Sequence, residues 1–89
     1  FENNDAKNFK EKKNYKYELF YLVEFNLYND SNNLIASTLV ETARTTTSGV
    51  YISIQEKEKI INDLIYLSLV DLSNESKKLI IKYFGFYIL

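Results

Sequence analysis

The chain has 89 residues, 46% hydrophobic and 16% aromatic, and a formal net charge of −1. That length allows at most one small domain, whose core is marginal without staples; the lack of Cys removes disulfides, and the lack of both Cys and His removes the zinc and soft-metal ligand sets. Lys and Glu are intermixed, so there is no basic field of the kind nucleic-acid binders need, and no run approaches the ~18 consecutive apolar residues of a membrane span.

Residues 1–14 are dominated by Asn, Lys, Glu and Asp, with only Phe1, Ala6 and Phe9 to bury. They read as a solvated lead-in or loop in which 5–13 form at most a transient helical turn. The cluster Lys10, Lys12 and Lys13 invites an anionic ligand, but Glu2, Asp5 and Glu11 balance it and favour a plain solvated run. The chain begins at Phe1 and contains no Met, which suggests a fragment or processed product with any targeting segment upstream.

From Tyr15 to Tyr28 the odd positions Tyr15, Tyr17, Leu19, Tyr21, Val23, Phe25 and Leu27 are apolar or aromatic, while Lys16, Glu18, Glu24 and Asn26 fall on even ones. A period of two predicts one long strand with its odd face buried. Phe20 and Leu22 interrupt the wetter face, and are explained either by a loop lying over them or by a partner. Asn29 to Asn33 then reverses the chain, with Asn32 or Asn33 taking the positive-φ position that Gly usually fills. A second strand follows at about 34–47. Its alternation is weaker: Ile35, Leu39 and Ala43 share one face and Leu34, Ala36, Val40 and Thr42 the other, and the pattern does not choose between them. The Thr45–Gly49 run is expected to end regular pairing.

At Ser53 the period becomes helical. Ser53-Ile54-Gln55-Glu56 fits a capping box opening a helix at about 53–84. At 100° per residue, Ile54, Ile61, Ile65, Ser68, Leu72, Ser76, Leu79 and Tyr83 fall near one line, the expected inward stripe. Ser68 and Ser76 on it are small, permitting close approach to the strands. A second patch of Ile60, Leu64 and Leu67 is expected to stay uncovered, and the helix to stop near Phe84 at Gly85, leaving an apolar tail that docks on the protein or a partner. The fold class is therefore α+β: an antiparallel hairpin with one long helix on one sheet face, a single β-β-α domain over 15–89 that reads as the C-terminal part of a larger two-layer sandwich.

No catalytic, cofactor or metal constellation emerges. Glu56, Glu58, Asp63 and Glu75 lie among Lys residues at helical ion-pair spacings, and a serine without an adjacent base is a poor nucleophile. The β-β-α order also invites an RNA-binding reading, but the helix opens Gln55-Glu56-Lys57-Glu58-Lys59 rather than with a basic turn, so no nucleic-acid partner is expected.

Taken together, Asn14-Tyr15-Lys16-Tyr17-Glu18-Leu19, the strand through Phe25-Asn26-Leu27-Tyr28, its polar reversal and Thr-rich return, and Tyr51-Ile52-Ser53 opening a helix that ends Leu79-Ile80-Ile81-Lys82-Tyr83-Phe84, resemble a known family. Over roughly residues 14–84 the chain is similar to the C-terminal half of the LPS-assembly lipoprotein (LptE-like) family, alphaproteobacterial type. The resemblance implies a sandwich of two helices on a small, mostly antiparallel sheet, with this chain supplying two strands and the second helix. The first helix would lie on the Ile60, Leu64 and Leu67 patch. It implies a non-enzymatic plug subunit of the outer-membrane lipopolysaccharide translocon, bound from the periplasmic side to an LptD-like β-barrel, in contact with lipopolysaccharide, and held to the membrane only through an anchor outside this chain.

Candidate partner contacts are Phe20, Leu22 and Tyr28 on the wetter strand face, the loop tip Asp30, Ser31, Asn32 and Asn33, and Ile60 and Leu67 on the helix. Alternative readings are an auxiliary lipoprotein of a lipid-transport system and a small homodimerising interaction module.

Overall fold

The computed structural model describes residues 14–88, so the expected lead-in and its Lys10, Lys12 and Lys13 cluster lie outside the described residues. Strand β1 (Asn14–Tyr28) and strand β2 (Leu34–Gly49) form a two-stranded antiparallel sheet, followed by helix α1 (Ile54–Ile88). β1 alternates as its sequence predicts: Tyr17, Leu19, Tyr21, Val23, Phe25 and Leu27 are half-buried and the even residues exposed, although Tyr15 is exposed too.

The reversal is built on Asn29. Its side-chain Oδ1 accepts from the N–H groups of Ser31 (2.9 Å) and Asn33 (3.0 Å), and its carbonyl accepts from Asn32 N–H (3.0 Å). Asn32 takes φ 62°, the left-handed conformation that Asn adopts most readily after Gly. The register then sets Val23 opposite Val40 and Tyr21 opposite Thr42, with a bulge between Leu27 and Tyr28. This pairing resolves the face of β2: Ala36, Thr38, Val40, Thr42, Arg44, Thr46 and Ser48 share the side of Val23, while Ile35, Leu39 and Ala43 point away. Pairing continues to Gly49 rather than ending in the Thr run, and the Tyr17 and Ser48 hydroxyls lie 2.8 Å apart across the strands.

The capping box forms as predicted. Glu56 N–H donates to Ser53 Oγ (3.1 Å), and Ser53 N–H donates to Glu56 Oε1 (3.2 Å). The helix does not stop at Gly85: it runs through to Ile88, and no glycine has positive φ. Glycine within a helix costs about 0.5–1 kcal/mol relative to Ala, which one residue can bear when the turns on both sides are apolar and the chain has no Pro to end them. The expected docking tail is therefore the last turn of α1.

The expected inward stripe is also corrected. Ser68 and Ser76 are buried and Leu72 and Leu79 half-buried, but Ile54, Ile61, Ile65 and Tyr83 are exposed, and the buried apolar residues of α1 are Leu64 and Phe84. Leu64, Ser68, Ser76 and Phe84, with half-buried Ile60 before them and Leu72 and Ile80 between them, follow one row at every fourth residue. Such a row drifts about 40° per step around the helix at 100° per residue. A two-stranded ribbon is more strongly twisted than a wide sheet, so the line along which it meets a helix winds as well. A single straight stripe does not describe that contact. Among the described residues the buried apolar side chains are Val40, Leu64 and Phe84; Thr38, Ser48, Ser68 and Ser76 complete the buried set. More than half of this narrow core is hydroxyl-bearing, and Thr42 Oγ1, Ser68 Oγ and Ser76 Oγ have no hydrogen-bond partner.

Candidate interaction surface

The two edges of the sheet differ in chemistry. α1 packs chiefly on β2 and lies only lightly over β1. On the β2 side an ion pair is set among apolar contacts. Arg44, facing the helix from β2, donates from Nε to Asp71 Oδ2 (2.7 Å) and from Nη2 to Asp71 Oδ1 (3.0 Å), a bidentate pair that ties strand to helix. These bonds hold the Asp71 carboxyl below the usual carboxylate range and push the guanidinium higher still. Two grooves flank the pair. One, of about 390 Å³, is lined by Glu41, Thr42, Ala43, Asp71, Asn74, Glu75 and Lys78. The other, of about 150 Å³, is lined by Arg44, Thr45, Thr46, Ile60, Asp63, Leu64 and Leu67. Falling numbers on β2 meet rising numbers on α1, so helix and strand run antiparallel. Glu41 and Ala43 point to the open sheet face, so the larger groove wraps around the outer edge of β2.

The β1 side is apolar. Ile61, Ile65 and Leu69 stand roughly 120° around the helix from Leu64, Leu67 and Asp71, on the flank away from the β2 grooves, and all three are exposed. Below that flank lies the half-buried face of β1, with Tyr17, Leu19, Tyr21, Val23 and Phe25. Helix flank and strand face are thus both apolar on the side towards β1, and the space they bound is the β1 trough. Among the described residues no strand pairs with the other edge of β1.

The sheet face turned away from the helix carries a third surface. Phe20 (54% exposed), Leu22 (59%) and Leu39 (60%) share it, with Phe20 paired to Ala43, Leu22 to Glu41 and Leu39 to Glu24. With aromatic and aliphatic side chains of roughly 200 Å² each, these three present about 350 Å² of apolar surface, the size at which a patch on a monomer is often functional. Towards the hairpin tip this face turns polar, where Ser37 Oγ donates to Asn26 Oδ1 (2.8 Å).

The residues expected to contact a partner are thus divided among three places. Phe20 and Leu22 are adjacent on the open sheet face. Tyr28 is exposed beside the bulge, next to the exposed tip Asp30, Ser31, Asn32 and Asn33. Ile60 and Leu67 lie on the other layer in the small β2-side groove, where Ile60 is half-buried against the hairpin and Leu67 is exposed as expected; Leu64, expected in the open with them, is buried. Sequence reasoning did not single out Leu39, although its parity with Ala43 was visible. It also missed Arg44 and Asp71, whose signal was an arginine on the same parity as Val40 and Thr42. Of the helical ion pairs expected for Glu56, Glu58, Asp63 and Glu75, those at Lys59–Asp63 (2.9 Å) and Glu75–Lys78 (3.7 Å) form, whereas Glu56 turns back to Ser53 in the cap.

No family model, curated protein or solved structure matches the chain. Among the described residues no helix is long and apolar enough to cross a membrane.

Proposed function

We propose that the protein is a non-enzymatic assembly subunit, a β-β-α unit whose exposed apolar faces are covered by other protein. The observation that supports this reading is the contrast in cover: Val40, Leu64 and Phe84 are buried, whereas Ile61, Ile65 and Leu69 above the β1 trough and Phe20, Leu22 and Leu39 on the open sheet face are exposed. A helix apolar around most of its circumference, as α1 is over Leu64–Val70, belongs inside an assembly rather than on its surface.

The family resemblance gives the proposal its specific form: a periplasmic plug subunit of the lipopolysaccharide translocon, the C-terminal part of a larger domain, docking on an outer-membrane β-barrel through Phe20, Leu22, Tyr28 and the 30–33 tip. The test is co-purification with an LptD-like barrel. Phe20→Asp and Leu22→Asp are expected to abolish recovery while leaving the fold intact, because both side chains point away from the helix; unaltered recovery of both variants would rule that face out.

A further inference from the structure

We propose that β1 pairs through its free edge with β1 of a second copy of this chain, antiparallel, in the register that sets Phe20 opposite the second copy's Phe20. This rests on the reading of the chain as an assembly subunit and names the occupant of its β1 side. Three observations lead to it. β1 is long and regular, and among the described residues its outer edge is unpaired. Of the features that blunt an exposed edge it lacks Pro and, within Asn14–Leu27, a bulge; its charges, Lys16, Glu18 and Glu24, lie on one face of the strand, where a partner strand can pair them. And the exposed Ile61, Ile65 and Leu69 lie towards this edge, while the Arg44–Asp71 pair and the two grooves beside it lie on the other.

Charge selects the register. Only pairings whose residue numbers sum to an even total keep the odd residues of both strands on the helix side. Full overlap sets Tyr21 opposite itself and places Glu18 opposite Glu24 twice, two like-charge pairs. One pleat shorter, Phe20 lies opposite itself and Lys16 opposite Glu24 twice, two opposite-charge pairs, with Asn14 through Asn26 still paired. One pleat the other way, Leu22 lies opposite itself and Glu24 faces Phe20, which gains nothing. The favoured dimer is a four-stranded sheet ordered β2-β1-β1-β2 with both helices on one face. The two strand faces bearing Tyr17, Leu19, Tyr21 and Val23 then form its centre, and Ile61, Ile65 and Leu69 of each helix overhang it. A two-fold axis makes this contact isologous and closed, so the β1–β1 seam itself joins two copies and no more, with the β2 strands left at the outer edges of the sheet.

The chain has no cysteine, which makes the register directly measurable. Residues opposite one another across antiparallel strands have Cα atoms about 5 Å apart, within the span of a disulfide. Phe20→Cys in the full chain is therefore expected to form a covalent dimer rapidly on mild oxidation. Leu22→Cys, offset from its copy by four residues or roughly 13 Å, is expected to stay monomeric on denaturing gels. Both side chains are exposed, so neither change disturbs the core. In sedimentation equilibrium the wild type is expected to dimerise, Lys16→Glu and Glu24→Lys each to weaken the dimer on the order of tenfold or more, and the double exchange to restore it. Faster cross-linking at position 22, or at 21 in a Tyr21→Cys chain, would overturn the register. A wild type that stays monomeric over an about hundredfold concentration range would overturn the second copy as occupant, leaving the assembly reading to the barrel pull-down.

Discussion

Replacing Leu64 with Ala separates the contact seen in the structure from the straight stripe that the sequence suggests. Leu64 is 7% exposed and is one of the buried apolar side chains joining α1 to the hairpin. Truncating a buried Leu costs about 2–5 kcal/mol, and because Leu64 also lines the small β2-side groove, solvent and neighbouring side chains fill part of the vacated space; the expected loss is about 2–3 kcal/mol. A domain of this size has only about 5–10 kcal/mol in total. With a urea dependence of about 1 kcal/mol per molar, the midpoint of unfolding falls by roughly 2–3 M. Leu67→Ala removes the same atoms from the same groove, but Leu67 is 39% exposed, so its cost stays below about 1 kcal/mol. Urea unfolding followed by circular dichroism measures both. A loss at Leu67 equal to or greater than that at Leu64 would refute the winding contact row.

Three further outcomes follow from particular groups. The Asp71 carboxyl is depressed in the folded state by its bonds from Arg44, so its contribution is present above the unfolded carboxylate value near about 4 and is lost as pH falls through the lower folded value. Acid titration of Asp71→Asn should therefore show a shallower loss of stability below about pH 4 than the parent chain. Asn32→Val should destabilise by about 1–2 kcal/mol and Asn32→Gly by essentially nothing, in thermal unfolding, because only the branched residue is penalised at φ 62°. Gly85→Ala should stabilise by about 0.5–1 kcal/mol if α1 runs through it, whereas a residue capping the helix in the left-handed region would lose stability on the same change.

Local features were readable because their causes are local. The alternation of β1 needs only a period of two. The turn needs an Asn able to adopt positive φ, and the helix start needs Ser53 and Glu56 three residues apart; the structure contains each of these. The inward face of β2 was not readable from its own residues. It depends on the register, which follows from where the Asn29–Asn33 turn begins and from the bulge that offsets Tyr28 and Leu34. The helix face failed for a similar reason. Ile54, Ile61, Ile65 and Tyr83 share a line on a wheel, but the partner is a twisted ribbon, and its twist decides which residues it reaches. That the β2 side carries the ion pair joining the layers appears only once Arg44 meets Asp71 across them.

The account stands on the claim that the lone β-β-α unit has too little internal cover and is completed by a second copy at its β1 side. Thermal unfolding of the full chain as a function of its own concentration tests this most directly. Completion by a second copy predicts a midpoint that rises by on the order of 5–10 °C over a hundredfold increase in concentration. A sharp, cooperative transition whose midpoint does not move with concentration would contradict it.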